Sequence, residues 1–88
     1  MDFEWDETKN ATNKVKHGVG FELAALLLWD KAIIRADTRR DYGEPRFIAR
    51  GPAADGKGYH VAFTLRGSNV RIISIRRFST KDYVRYGT

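Results

Sequence analysis

Eighty-eight residues with a net charge of +5 and no cysteine make one domain over 1–88 around a single modest core, and exclude a disulfide framework or a thiolate metal site. His17 and His60 lie far apart in sequence, which argues against zinc. The acidic N-terminus and the short apolar run from Leu23 to Trp29 argue against a signal peptide or a membrane span, so the cytoplasm is the expected location.

Taken along the chain, Asp2 to Trp5 reads as a short strand. Asp6 is placed to cap a helix running to about His17, where Gly18 suits a left-handed stop. Lys14, Lys16 and His17 fall in the last turn, where cations complement the helix dipole. Phe21, Ala24, Ala25 and Leu28 recur at helical spacing and predict a second helix over Phe21 to Trp29. Strands are then expected at Lys31 to Asp37, Arg46 to Arg50, Tyr59 to Arg66 and Val70 to Arg77. The loop from Thr38 to Glu44 is charged, and Arg39-Arg40, with Asp37 and Asp41 close by, reads as a solvated patch. Ser79 or Thr80 can cap a last helix through Tyr86. The order is β-α-α-β-β-β-β-α, an α+β fold with a small antiparallel sheet.

The strand from Val70 to Arg77 is the most informative. It is apolar in the middle, yet it carries Arg71, Arg76 and Arg77. Regular alternation puts Arg71, Ile73, Ile75 and Arg77 on one face, and Val70, Ile72, Ser74 and Arg76 on the other. With a two-residue turn at Gly67-Ser68, the face with Arg71 and Arg77 also holds His60, Ala62, Thr64 and Arg66, and only a twist or bulge brings Arg76 to it. The charge balance agrees with a basic working face. Residues 57–88 hold seven basic and one acidic side chains, whereas residues 1–30 hold three and six. Such an excess suits an anionic partner, nucleic acid above all. On the first helix, Lys9, Asn13, Lys16 and His17 fall on or near one face. Taken alone, Asn13 reads as a solvated residue and Lys16 and His17 as terminal cations; a lone His60 reads as packed or solvated, and Tyr83 and Tyr86 as packing anchors.

Two separated stretches resemble a known family. Phe3-Glu4-Trp5-Asp6, Lys9, Asn13, Lys16-His17-Gly18-Val19 and Phe21 match its opening F-x-W-D-x-x-K-x-x-x-N-x-x-K-H-G-V-x-F. Arg71-Ile72-Ile73-Ser74-Ile75-Arg76-Arg77 and the distal Tyr86 are similar to its closing motif, with Arg46 as its middle arginine. The family is BrnT, the toxins of type II toxin–antitoxin systems. The chain departs from the pattern at Gly20, where serine is usual, and at Asp82, where glutamate is commoner. The resemblance implies a RelE-like ribonuclease that cuts RNA with neither metal nor cofactor. It also implies a BrnA-like antitoxin with a ribbon-helix-helix portion, a heterotetramer, and operator DNA reached only through the antitoxin.

The chemistry asks for a base near the RNA 2′-oxygen, an acid near the departing 5′-oxygen, and cations around the phosphate. Arg46, Arg71, Arg76 and Arg77 are assigned to phosphate and transition-state charge, with Arg66 in addition, because a guanidinium stays charged and grips phosphate with two bonds. His17 is the first acid/base candidate, since imidazole ordinarily titrates nearest neutral pH. Lys16, Lys9 and Tyr86 are the alternatives. Lys9 and Asn13 are expected to contact the substrate. A non-catalytic nucleic-acid-binding or protein-interaction module would explain the basic face equally well.

Overall fold

The chain, in a computed structural model that describes residues 1–87, begins with β1 (Asp2–Glu4) and enters α1 (Glu7–His17) through the expected cap. The Asp6 carboxylate accepts from the backbone N–H groups of Thr8 at 2.8 Å and Lys9 at 3.3 Å. Gly18 ends the helix at φ 71°, a left-handed conformation that costs a side-chain-bearing residue more than glycine.

The second helix is a correction. The backbone forms two 3₁₀ turns instead, Phe21–Ala25 and Trp29–Lys31. Between them the backbone is claimed by the segment from Pro52 to Ala54: Leu28 N–H donates to the Pro52 carbonyl and Ala54 N–H to that of Leu26. Leu27 also bridges Ala53. Carbonyls and amides spent on this neighbour cannot continue an α-helical ladder. Phe21, Leu23, Ala24 and Leu27 are the residues buried, while Ala25 is exposed and Leu28 only half-buried.

The remaining elements are β2 (Ile33–Ala36), β3 (Phe47–Pro52), β4 (Gly58–Arg66), β5 (Asn69–Arg77) and α2 (Thr80–Tyr86). The strands form one sheet in the order β1-β5-β4-β3-β2. It is antiparallel except for β1, which pairs with β5 in parallel, Phe3 opposite Val70. One face is the core. Val61, Phe63, Ile72 and Ile75 pack there against Phe21 and Leu27, and Phe63 meets the edge of Trp29 and the face of Phe47. Burying such side chains stabilises the fold by roughly 1.5–3 kcal/mol each.

The β4–β5 hairpin decides which side chains face away from that core. Arg66 pairs with Asn69, so Gly67-Ser68 is a two-residue loop, and Leu65–Val70 and Phe63–Ile72 follow as alternation predicts. The ladder then slips between Ala62 and Phe63, so that Ala62 faces Ser74 and Val61 faces Ile75. Ile73 is the extra residue of a bulge. Beyond it every face assignment reverses: Ile75 and Arg77 turn to the core side, and Ser74 and Arg76 to the open one.

Candidate active site

On the open face, Arg50, His60 and Arg76 stand directly opposite one another on β3, β4 and β5. Arg50 Nε donates to His60 Nδ1 at 3.1 Å, so the neutral ring keeps its proton on Nε2. That nitrogen lies 2.9 Å from Asp82 Oδ2 on α2, close but out of line for a good hydrogen bond. Arg76 Nη1 approaches the same carboxylate at 3.6 Å. Phe78 and Tyr86 cover the imidazole, with ring centroids 4.9 and 5.9 Å away. Burial pushes the His60 pKa below its ordinary value, the contact with Asp82 opposes the shift, and Arg76 and Arg50 add to it. Asp82 is held well below the usual carboxylate range by His60 first and by the Ser79 backbone N–H second. Ser79 and Asp82 are also the two halves of the capping box that starts α2.

Beside this row runs α1, and its attachment explains why its cations border the site. The helix has no apolar stripe; Val15 is 90 % exposed. Two buried asparagines hold it. The Asn13 amide donates to the carbonyls of Val19 and Ile75, both at 2.8 Å, and its oxygen accepts from Ile75 N–H at 3.2 Å. Asn13 thus saturates the edge of β5 beyond the end of β1. Asn10 accepts from Phe21 N–H at 2.8 Å and donates toward Glu22. With the helix clamped to the β5 edge, Lys9, Lys16 and His17 lie along a groove of about 220 Å³ floored by Ile73 and Ser74. His17 and Ser74 also line an adjoining hollow of about 100 Å³ with Arg50, His60 and Arg76. The wider hollow of about 660 Å³ lies in the β2–β3 loop, with Arg46 on its wall and without His17, His60 or Arg76.

His17, Lys16, Lys9 and Arg76 therefore come together, and Tyr86 stands against Arg50 and His60. Arg77 does not join them. The bulge turns it to the core side, where its guanidinium donates to the Gly18 carbonyl at 3.2 Å, so the grouping of Arg77 with Arg71 is corrected. For Asn13 the solvated reading is corrected: it is buried and hydrogen-bonded to Val19 and Ile75, while still lining the groove. Arg46, Arg66 and Arg71 occupy the far end of the face, roughly 13 Å along the strands from the level of Arg50 for Arg46 and Arg71 and roughly 20 Å for Arg66. There they meet carboxylates. Arg71 binds Glu4 at 2.6 Å, while Arg66 and Arg46 lie 3.5 and 4.0 Å from Glu44. Hydrogen bonds from Asn69 and then Arg71 lower the Glu4 pKa. Arg39 forms the exposed mixed-charge pair expected, its Nε and Nη2 both bonded to Asp37 at 2.8 Å, and it also lines the hollow of Arg50 and His60.

Sequence reasoning assigned Arg50, His60 and Asp82 no role in the site. The register supplies the missing signal: Arg50 and His60 pair across β3 and β4, and only the bulge aligns Arg76 with them. Unbroken alternation along the full sequence puts Arg76 on the wrong side.

Comparison with known proteins agrees with this architecture. The family model described as the ribonuclease toxin BrnT of type II toxin–antitoxin systems matches residues 5–82. No curated protein matches. The crystal structure of the Brucella abortus ribonuclease toxin BrnT superposes with a TM-score of 0.69 at 30 % identity, covering 91 % of this chain and 99 % of that one. A fold-wide likeness and a family match over nearly the whole chain lead to one assignment: the chain belongs to the BrnT family of ribonuclease toxins of type II toxin–antitoxin systems.

Proposed function

We propose that the groove between α1 and the open sheet face is a metal-independent endoribonuclease site, in which the RNA 2′-oxygen attacks the adjacent phosphorus and the 5′-oxygen departs. The observation that carries this reading is the bulge at Ile73, which turns Ser74 and Arg76 toward the same groove as Lys16 and His17. His17 moves the proton, taking it from the 2′-hydroxyl or giving it to the leaving oxygen, with Lys16, Lys9 and Tyr86 as alternatives for the second proton transfer. Arg76 stabilises charge on the non-bridging oxygens. Arg71, Arg46 and Arg66 are better suited to the flanking backbone than to the scissile phosphate, since they stand at the far end of the face, away from the hollows that His17 lines. The donor set supports a route without metal. No carboxylate lines either hollow, and among the described residues no three His, Asp or Glu side chains gather to hold an ion.

The partner consistent with this family is a BrnA-like antitoxin carrying a ribbon-helix-helix portion, joined in a heterotetramer that meets operator DNA through the antitoxin. Among the described residues no helix is long and apolar enough to cross a membrane.

Two substitutions test the site. Arg76→Ala should slow RNA cleavage by roughly 10²-fold or more. Arg77→Ala, on the opposite side of the sheet, should cost less than roughly tenfold by the same measure of transition-state charge. Unchanged turnover in the Arg76 variant, or a larger loss in the Arg77 variant, contradicts the assignment.

A further inference from the structure

Arg50 is braced on two sides and left open on the third. Its Nε–H is spent on His60 Nδ1, and its guanidinium carbon lies 5.0 Å from the centre of the Tyr86 ring. Among the described residues no carboxylate comes within ion-pair distance of it, whereas Arg71, Arg76, Arg66 and Arg46 each have one. Arg50 lines the hollow that His17, Ser74 and Arg76 also line, and its two terminal nitrogens make no hydrogen bond to another described residue.

The brace has a backing of its own. His60 can accept from Arg50 only as the Nε2–H tautomer, and Nε2 faces Asp82. Asp82 is in turn fixed by Ser79, whose backbone N–H and hydroxyl donate to its Oδ2 at 2.8 and 3.0 Å. The His60 side chain is only 10 % exposed. It is too covered to reach RNA, yet it sits where it can set the direction of a guanidinium that does.

We propose that Arg50 is a further phosphate-binding residue of this site, and that His60, held by Asp82, is the positioning residue that aims its two terminal nitrogens at an RNA phosphodiester. The inference rests on the ribonuclease reading of the groove and adds a second cation facing Arg76 across it. Lysine cannot replace Arg50, because one guanidinium supplies both the Nε donor for the brace and the fork for the phosphate.

The test uses a short oligoribonucleotide fully 2′-O-methylated so that it is bound and not cut, titrated into the full-length protein at several salt concentrations. Arg50→Gln should weaken binding roughly tenfold or more, as loss of a charge-assisted pair predicts. It should also flatten the log–log salt slope by about 0.7, the value for one phosphate contact on a single strand. Arg50→Lys should keep the slope and still lose affinity. His60→Asn, which leaves an acceptor near the position of Nδ1, should retain much more binding than His60→Gln, whose amide falls near Nε2. Wild-type affinity and slope in Arg50→Gln overturn the phosphate contact, and equal binding by the two His60 variants overturns the positioning role. Arg76→Gln separates the two levels. If it loses binding while Arg50→Gln does not, only this inference fails; if neither loses binding, the ribonuclease reading of the groove fails with it.

Discussion

Asn13 does for α1 what an apolar stripe does for most surface helices, using one amide and three hydrogen bonds. Replacing it with alanine leaves the Ile75 N–H and the Val19 and Ile75 carbonyls without this partner. We expect Asn13→Ala to destabilise the fold by about 1–3 kcal/mol for each group left unpaired, read as a lower urea midpoint. An unchanged midpoint would show that water or a shifted helix satisfies these groups. His60 makes a second statement at the same scale. Its folded pKa lies below the ordinary value, chiefly through burial, so the unfolded chain binds the proton more readily. The stability due to neutral His60 is present above about pH 6.5 and falls as pH drops from there toward the folded pKa. The urea midpoint should decline over that window in the wild type and decline less in His60→Asn. Equal declines would remove His60 as the cause. Asp82 has the same sign at lower pH, since its carboxyl is depressed by His60 and Ser79.

Among the elements, those with local signals were legible before any fold was known. Asp6, Gly18 and Ser79 end or begin helices where their side chains or backbone freedom demand it, and β-branched runs became strands. Two elements were illegible for tertiary reasons. Phe21 to Trp29 carries a helical stripe, but β3 and its turn capture the backbone of Leu26 and Leu28. The bulge at Ile73 has no glycine or proline to announce it, and it decides which arginines share a face. That is why Arg71, Arg76 and Arg77 were recognisable as functional suspects while their grouping was not. The bulge also yields a counterintuitive expectation. Deleting Ile73 lets Ser74 follow Ile72 in a regular ladder, opposite Ala62 as before, so Arg76 stays on the open face. The shortened protein should keep its circular dichroism spectrum and cooperative unfolding, losing only the local twist that bulges add. A collapsed or aggregated product would mean that the bulge is required for the sheet itself.

At the scale of the whole molecule, folding sorts a charge imbalance that the sequence shows only as blocks. The acidic first third is not segregated from the basic last third, because β1 inserts beside β5 and sets Glu4 against Arg71. Glu44 does the same near Arg66 and Arg46. At the opposite end of the face, Lys9, Lys16, Arg50 and Arg76 gather around His17, with Asp82 as the one carboxylate among the described residues in contact with the row. These cations border the groove proposed above for RNA. The most direct measurement is the chemistry of the ends. Purified protein, free of antitoxin, is incubated with RNA in EDTA and the fragments are examined at both termini. A 2′-hydroxyl attack in this groove leaves 5′-hydroxyl and cyclic or 3′-phosphate ends with the chelator present. Intact RNA from folded protein, or cleavage that EDTA abolishes and that leaves 5′-phosphates, contradicts it.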